Sequence, residues 1–226
     1  MELTFQEDNF VVKTLSTHEE FEQAMRLRHD VFAEELKWVP ASPDRMERDR
    51  YDNFSESIGV FDMDFRIAGY IRLITSSYPF MVDKEFACML PEGVRVKRAP
   101  DMAEVTRLCV KKEDRSNQYL KQVSHLLYKG LYHWNRLNEI RHSVMVVDAR
   151  CFRLLRLTGL PVEKFSDFVV MPDGVKAGVC TLDWHRFDEI GLETRSSFHQ
   201  WMSSMPVTLP IHYPVQSLSH ELYLQH

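Results

Sequence analysis

The order of the predicted helices and strands constrains the fold of this chain most. NFVVKTL (9–15) predicts a first strand, and Ser16 or Thr17 can cap the helix that follows it. Several strands, a long helix, a strand, a short helix and two more strands come next along the chain. No glycine-rich turn suited to a dinucleotide follows the first strand. The sequence therefore predicts a mixed α+β domain built around a central sheet.

Hydrophobic periodicity and turn residues indicate the approximate bounds of the later elements. They predict a long loop over 39–54, two strands joined by a tight turn within 57–77, a short helix over 80–90, a strand over 103–110, a long helix over 116–138, a strand over 142–149, a short helix over 149–159, and two strands within 165–171 and 174–184. From residue 194 onward the chain is rich in Ser, Pro and His, with one short helix predicted around 198–202. We therefore expect one domain over residues 1–193 and a C-terminal extension over 194–226.

Composition indicates a globular protein of the cytoplasm. The chain has 226 residues, 44 % of them hydrophobic and 27 % charged, and no apolar run approaches the ~20 residues of a membrane span. The first ten residues lack the basic and apolar regions of a secretory signal. The four cysteines form no CxxC pair, so neither a metal site nor a disulfide framework is predicted. The net charge of −5 argues against binding to nucleic acid.

One arginine lies in the middle of an apolar helix face. In FEQAMRLRHDVFAEELKW, the side chains of Phe21, Met25 and Phe32 return to one side of a helix, and Arg28 lies among them. A charge in that position is costly unless it is paired. The simplest interpretation is an ion pair that fixes the following loop, and the alternative is contact with a substrate.

Two other stretches place charges beside aromatic or apolar residues. In ERDRYDN, Asp49 and Asp52 flank a tyrosine, although a solvated charged turn would also explain them. In AEVTRLCV, Glu104 and Arg107 are three residues apart, so they would point to opposite faces of a strand unless a bulge intervenes. An exposed cross-strand pair is the alternative for these two.

Together these side chains suit a zwitterionic substrate that also carries a cation. Guanidinium groups bind a carboxylate bidentately, aspartates balance ammonium or sulfonium charge, and aromatic faces attract onium groups. Glu104 could deprotonate an attacking amine, directly or through a water. We expect the partners of Arg28 among Asp49, Asp52 and Glu104.

These stretches resemble the sequence pattern of the acyl-homoserine-lactone synthases, the autoinducer synthases of bacterial quorum sensing. The pattern has four pieces, which occur here in order and span about residues 20–185. They are found as Arg28, Phe32 and Trp38; Glu47, Asp49, Tyr51 and Asp52; Gly69, Arg72 and Leu73; and Glu104, Thr106 and Arg107. Chance agreement does not account for four pieces in the same order.

The resemblance implies a GNAT-like acyltransferase fold, an α/β/α sandwich whose central mixed, mostly antiparallel sheet is flanked by helices. It also implies two substrates, S-adenosylmethionine and an acyl thioester on acyl carrier protein or coenzyme A, with no further cofactor and no metal. The α-amine of S-adenosylmethionine attacks the thioester. Its carboxylate then closes the lactone and displaces methylthioadenosine, which leaves an acyl-homoserine lactone.

The resemblance also assigns roles to the matching residues. Glu104 is the expected catalytic base, with Arg107 as its catalytic neighbour. The residues expected on the S-adenosylmethionine side are Arg28, Phe32, Trp38, Asp49, Asp52, Arg72 and Thr106. Apolar residues of the central strands and the following helix are expected to form the acyl pocket, namely Leu108, Val144, Met145, Val147, Phe152 and Leu155.

Basic residues at the start of the long helix and along the next helix suggest a docking surface. An acyl carrier protein is acidic, so such a surface would attract it. The residues concerned are Lys111, Lys112, Arg115, Lys121, Arg150, Arg153 and Arg156. A solvated helix face explains them equally well.

Two departures from known patterns bear on the acyl donor. The glycine-containing phosphate loop of coenzyme A-binding acetyltransferases is absent, and KKEDRSNQYLK stands there instead. This argues against an ordinary acetyl-coenzyme A enzyme. Val147 stands where family members that make 3-oxo products often have threonine, which favours an unsubstituted or unusual acyl chain.

Two other functions fit the same residues less well. One is an N-acyl amino-acid synthase of the same fold, which does not form a lactone; Arg28, Trp38, Asp49 and Asp52 disfavour it because they belong to the synthase pattern. The other is a catalytically silent module that binds acyl carrier protein or a lipid. Glu104 and the site arginines weigh against that module.

Overall fold

The computed structural model describes residues 2–112 and 116–204. In these segments nine strands form one sheet and five α-helices flank it. The strands are β1 (Thr4–Glu7), β2 (Phe10–Thr14), β3 (Glu56–Asp62), β4 (Ile67–Thr75), β5 (Met102–Val110), β6 (His142–Asp148), β7 (Val162–Lys164), β8 (Val169–Val170) and β9 (Lys176–Asp183). The helices are α1 (His18–Arg28), α2 (Asn117–Leu137), α3 (Ala149–Leu157), α4 (Trp184–Thr194) and α5 (Ser197–Ser203). The predicted α+β fold is confirmed.

The sheet is mixed and mostly antiparallel, as predicted. Its strand order is β1-β2-β3-β4-β5-β6-β9-β7, and β8 also pairs with β9. Among the described strands only β5 and β6 pair in parallel, over Met102–Val105 and His142–Met145. Beyond these residues the two strands are no longer paired, while β6 stays paired with β9 as far as Asp148. Their separation opens a gap in the middle of the sheet.

Helices cover both faces of the sheet, which makes the fold an α/β/α sandwich. On one face α2 packs on β2 to β5, with Val123 and Leu127 in a core cluster that also includes residues of α3, α4 and α5. On the other face α1 places Ala24 and Leu27 in a separate cluster with side chains of β2 to β5. Because side chains alternate along a strand, a different helix buries each face of the sheet.

The local sequence explains both ends of α1. The Thr17 side chain accepts a hydrogen bond from the amide of Glu20, and the Glu20 carboxylate accepts from the amide of Thr17. At its C-terminus the helix widens into a π-helical turn over His29–Glu35. The amide of Trp38 then donates to the carbonyl of Phe32 at 2.8 Å. The chain therefore folds back so that the two aromatic rings lie 6.2 Å apart between centroids.

The helix predicted over 116–138 is confirmed as α2. Ser116 caps it by accepting a hydrogen bond from the amide of Tyr119. A Cβ at Gly130 would lie 2.9 Å from Cγ1 of Val12, so the glycine allows the helix to approach β2 closely. Within the described segments, no helix is both long and apolar enough to cross a membrane.

The helix predicted over 80–90 is wrong. This segment forms turns and a single 3₁₀ turn over Ala87–Met89. The amides of Met81 and Val82 donate to the carboxylate of Glu104 at 2.5 and 2.8 Å. Because a side chain of β5 engages these two donors, the local backbone follows the carboxylate instead of winding into a helix.

The C-terminal region contains an element that the sequence pattern does not predict. Asp183 caps α4, which begins directly after β9. The short helix predicted around 198–202 is confirmed as α5, which packs against α2 and α4. The domain boundary at residue 193 stays a prediction. Residues 205–226 of the expected extension lie outside the described part of the chain.

The packing of α5 on α4 depends on a glycine. A Cβ at Gly191 would overlap the imidazole of His199, so Gly191→Ala must displace this ring from its 3.0 Å contact with Asp188. We expect this overpacking to lower the free energy of unfolding in urea by about 1–3 kcal/mol, despite the better helix propensity of alanine. Leu192→Ala, at the exposed neighbouring position, is the control and should change it by about 0.5 kcal/mol or less. Equal stability of G191A and the wild type would contradict this packing.

Candidate active site

β5 contains a bulge at the point where it leaves β6. The pairing of β4 with β5 shifts register between Tyr70 and Arg72, where β5 has one extra residue. Arg107 lies at this position with φ 54°, in the left-handed region. Glu104 and Arg107 therefore border the same cavity although they are three residues apart on one strand. The bulge that would bring these two side chains together is therefore present.

Arg28 is completely buried at the end of α1 and pairs with two carboxylates. Its Nε donates to Oε2 of Glu47 at 2.5 Å, and its Nη1 donates to Oδ1 of Asp52 at 2.6 Å. Burial by itself lowers the pKa of Arg28, but Tyr70, Asp52 and Glu47 raise this pKa above its ordinary value. Of the three predicted partners only Asp52 pairs with Arg28. Asp49 pairs with Arg72 and Arg107, Glu104 is held by backbone amides, and Glu47 is the second partner of Arg28.

Arg72 of β4 forms ion pairs with both aspartates. Its Nη1 donates to Oδ1 of Asp49 and to Oδ1 of Asp52, both at 2.6 Å, and its Nε donates to Oγ1 of Thr106 at 3.0 Å. Burial raises the pKa of both aspartates, but Arg72 and Arg28 lower it further than burial raises it. The two carboxylates are therefore ionised at neutral pH.

Arg107 completes the group of charges. Its Nη2 donates to Oε1 of Glu47 at 2.9 Å and to Oδ2 of Asp49 at 2.8 Å. Its guanidinium carbon lies 5.5 Å from the ring centroid of Phe32. Glu47 therefore connects the arginine of α1 with the arginine of β5. Three arginines and three carboxylates form one largely buried ion-pair network, which consists of Arg28, Arg72, Arg107, Glu47, Asp49 and Asp52.

Glu104 is also completely buried, but its carboxylate is held by backbone amides. Burial raises the pKa of Glu104 to about 7, although the amides of Met81 and Val82 and the charge of Arg72 act to lower it. A carboxyl group whose pKa is near neutrality can accept and release a proton at physiological pH.

A cavity of about 1080 Å³ runs through the gap between β5 and β6. Its polar half lies on the side of α1 and includes Phe32, Trp38, Glu47, Asp49, Arg50, Tyr51, Glu85, Glu104 and Arg107. Its apolar half lies on the side of α2 and includes Tyr128, Leu131, Met145, Cys151, Leu155, Leu160, Val162, Leu182 and Trp184. Among the described residues, no three or more His, Cys, Asp or Glu side chains are grouped as a metal site. The cavity therefore offers a charged compartment and an apolar compartment joined at the gap.

The cavity divides the predicted site residues into two groups. Six of them line it, namely Phe32, Trp38, Asp49, Glu104, Thr106 and Arg107. Arg28, Asp52 and Arg72 lie behind the cavity wall. Arg28 and Arg72 donate to the lining carboxylates of Glu47 and Asp49, respectively, and both arginines also donate to Asp52. Arg28 therefore orders the charges of the site and does not itself border the cavity.

Four of the six predicted acyl-pocket residues line the cavity, namely Leu108, Met145, Val147 and Leu155. Val144 and Phe152 do not. The side chain of Val144 is completely buried in a core cluster with Val179. The ring of Phe152 packs edge-on against Phe168, with centroids 5.4 Å apart. Both side chains are used in packing, which removes them from the pocket wall.

The predicted docking residues differ in their surroundings. Lys112 forms an ion pair with Glu35 of the π-helical turn. Lys121 of α2 is exposed, as are the three arginines of α3, and Lys111 is half-buried. Arg115 lies outside the described residues. The exposed members on α3 are Arg150, Arg153 and Arg156.

Two features of the site were not predicted as site residues from the sequence. Glu47 contacts both Arg28 and Arg107, and its place in ERDRYD is the signal that could have included it. The amides of Met81 and Val82 fix the carboxylate of Glu104. No sequence signal identifies these amides, because backbone donors carry no residue-specific pattern.

The ion-pair network makes Arg28 important for stability. Arg28→Met would leave Glu47 and Asp52 with a buried charge and one partner fewer, so we expect the free energy of unfolding in urea to fall by about 3–5 kcal/mol. Arg45→Met is the control, since its ion pair with Asp30 is exposed and should contribute far less to stability. Similar losses of unfolding free energy in R28M and R45M would contradict the ion-pair network.

Sequence comparisons find relatives over most of the chain. The autoinducer synthase family model matches residues 12–183. An acyl-homoserine-lactone synthase of Rhizobium radiobacter is 29 % identical over 174 residues, which cover 74 % of this chain and 81 % of that protein.

Two solved structures share the fold. The AHL synthase LasI aligns with a TM-score of 0.72 at 17 % identity, over 91 % of this chain and 100 % of that one. BjaI, a CoA-dependent acyl-homoserine lactone synthase solved with SAM and isopentyl-CoA, aligns with a TM-score of 0.65 at 20 % identity, over 81 % of this chain and 89 % of that one. Because the family model covers well over half of the sequence and the site residues fall within it, the chain belongs to the autoinducer synthase family.

Proposed function

We propose that this chain acylates the amine of S-adenosylmethionine from an acyl thioester and closes the product to an acyl-homoserine lactone, releasing methylthioadenosine. The observation that carries the proposal is the position of Glu104. This buried carboxyl group, with a pKa of about 7, borders a cavity that joins a charged compartment to an apolar one. The first compartment suits a small charged substrate, and the second suits a hydrocarbon chain.

The polar half has the groups that S-adenosylmethionine requires. This substrate carries a carboxylate, an ammonium and a sulfonium. Arg107 is the one arginine of the ion-pair network that lines the cavity, so it is available to the carboxylate. Glu47 and Asp49 supply negative charge for the two cations, and the rings of Phe32 and Trp38 offer aromatic faces to the sulfonium.

The reaction needs two bond exchanges. Glu104 accepts a proton from the α-ammonium group, and the free amine attacks the thioester carbonyl. The C–N bond forms, the C–S bond of the thioester breaks, and the thiol leaves with a proton. The substrate carboxylate then attacks the carbon next to the sulfonium, which forms the ring C–O bond and releases methylthioadenosine as a neutral thioether. S-adenosylmethionine is consumed, so it is a substrate, and no separate cofactor takes part.

The donor approaches from the side of the apolar half. Leu108, Met145, Val147 and Leu155 would contact the acyl chain. The exposed arginines of α3 give this side a positive surface, which would attract either an acidic acyl carrier protein or the phosphates of coenzyme A.

The two alternative functions predict different products. An N-acyl amino-acid synthase would acylate a free amino acid without releasing methylthioadenosine, and a silent binding module would turn over nothing. Incubation with S-adenosylmethionine and a panel of acyl thioesters, followed by mass spectrometry, separates them. Lactone and methylthioadenosine in equal amounts are expected. An acylated amino acid without methylthioadenosine, or no turnover with any donor, would overturn the proposal.

Glu104→Gln should lower turnover by about 10²–10⁴-fold, because the amide cannot accept the proton of the amine. The free energy of unfolding at pH 8 should change by about 2 kcal/mol or less, since glutamine keeps one acceptor for the amides of Met81 and Val82. Glu163→Gln, on the exposed part of β7, is the control and should retain wild-type turnover. A folded E104Q enzyme with wild-type turnover would rule out Glu104 as the base.

The raised pKa of Glu104 also predicts how stability depends on pH. Between about pH 4.5 and 7 the carboxyl group is protonated in the native state and ionised in the unfolded chain, so the native state binds more protons and stability falls as the pH rises. In urea denaturation the wild type should lose about 3 kcal/mol relative to E104Q over this range. Above about pH 7 the difference in unfolding free energy between the wild type and E104Q should be constant. Parallel stability curves for the two proteins would show that the pKa is not raised.

A further inference from the structure

The apolar half of the cavity contains one phenol, that of Tyr128 on α2. Its side chain is 8 % exposed and lines the cavity one helical turn before Leu131, which lines the cavity too. Burial raises the pKa of Tyr128 above its ordinary value, so the hydroxyl is neutral and can both donate and accept a hydrogen bond.

This hydroxyl has no hydrogen-bond partner among residues 2–112 and 116–204. The other three buried tyrosine hydroxyls of the described residues are engaged. Those of Tyr51 and Tyr132 donate to Glu85 and Asp188 at 3.1 and 2.9 Å. That of Tyr70 lies 2.8 Å from Oγ of Ser57. A hydroxyl that loses its water without gaining another partner costs about 1–3 kcal/mol. Because Tyr128 borders empty space, the missing partner can enter through the cavity.

Two other polar groups near the apolar half already have partners. Nε1 of Trp184 donates to Oγ of Ser143 at 3.0 Å. Asp148 accepts from the amides of Arg150 and Cys151 at 2.6 and 2.9 Å. Within the described part of this wall, Tyr128 therefore supplies a hydroxyl that remains open to a ligand.

Val147 adds a second observation at the gap itself. It lines the cavity with an aliphatic side chain, so it offers no hydrogen bond to an acyl chain there. Tyr128 on α2 offers a hydroxyl to a polar group of the chain elsewhere on the wall.

We propose that Tyr128 determines donor specificity: its hydroxyl forms a hydrogen bond with a keto or hydroxyl oxygen on the acyl chain. This inference rests on the proposed function. A plain hydrocarbon chain would displace water from the hydroxyl and leave it unpaired, whereas an oxygen-bearing chain would replace the water with a hydrogen bond. The preferred donor is therefore an oxygen-substituted acyl thioester, and the presence of valine at residue 147 does not imply an unsubstituted chain.

The test compares donors of equal chain length on the wild type and on Tyr128→Phe. The panel contains an unsubstituted acyl thioester and its 3-oxo, 3-hydroxy and terminal-hydroxy counterparts, and kcat/KM is measured from methylthioadenosine release. We expect the wild type to prefer one oxygenated donor by at least tenfold. Y128F should lose this preference through a lower kcat/KM for that donor, with the unsubstituted donor unchanged or faster. Its melting temperature should equal or exceed that of the wild type, because no hydrogen bond within the protein is lost.

Tyr132→Phe is the matched control. It removes a phenol hydroxyl from the same helix, but the hydroxyl is bonded to Asp188 and Tyr132 does not line the cavity. Its donor preference should equal that of the wild type. A wild type without preference for any oxygenated donor, or a Y128F enzyme with an unchanged preference, would overturn the inference while turnover of the unsubstituted donor still supports the proposed function. Failure of every donor would instead count against the proposed function.

Discussion

The ion-pair network behind the cavity is the interaction on which the rest of the site depends. It joins the end of α1, the loop before β3, β4 and the bulge of β5 through three arginines and three carboxylates. Buried charges are tolerated only when they are paired, so each element is held in place by the charges of the others. The loop that carries Glu47, Asp49 and Asp52 lies against the sheet for this reason. The polar wall of the cavity is thus assembled by electrostatics, while packing of apolar residues assembles the opposite wall.

Glu104 and the network show how one wall can hold carboxyl groups of different acidity. Arginines surround Asp49 and Asp52 and keep their pKa below the ordinary value, whereas Glu104 has amide donors and little solvent, and its pKa rises to about 7. Groups whose environments push their pKa values apart can take separate roles in binding and in proton transfer. The bulge at Arg107 is necessary for this arrangement, because it brings a guanidinium and the proton acceptor to one cavity without placing them in contact.

The sequence predicts the parts of this fold that depend on local patterns. Periodicity and capping residues identify α1, α2 and the central strands. The charged and aromatic residues of RHDVF, ERDRYD and EVTRL, together with the family resemblance that they carry, identify most of the polar wall. Such local patterns do not reveal interactions between segments that are far apart in the sequence. The contact of Glu104 with the amides of Met81 and Val82 prevents the predicted helix over 80–90, and it spans more than twenty residues of sequence. Likewise, an apolar helix face indicates that Arg28 is paired, but only the fold shows that it stands behind the cavity wall.

The separation of β5 and β6 has a consequence for how the product leaves. The cavity passes through the sheet, with its polar half on the α1 face and its apolar half on the α2 face. A product formed at the gap therefore passes through the sheet, with its ring on one face and its hydrocarbon tail on the other. Strand pairing closes the gap only at the end near Val105 and Met145. Within the described residues, no β5–β6 ladder blocks departure toward Val110 and Asp148, so the two halves of the molecule can leave side by side.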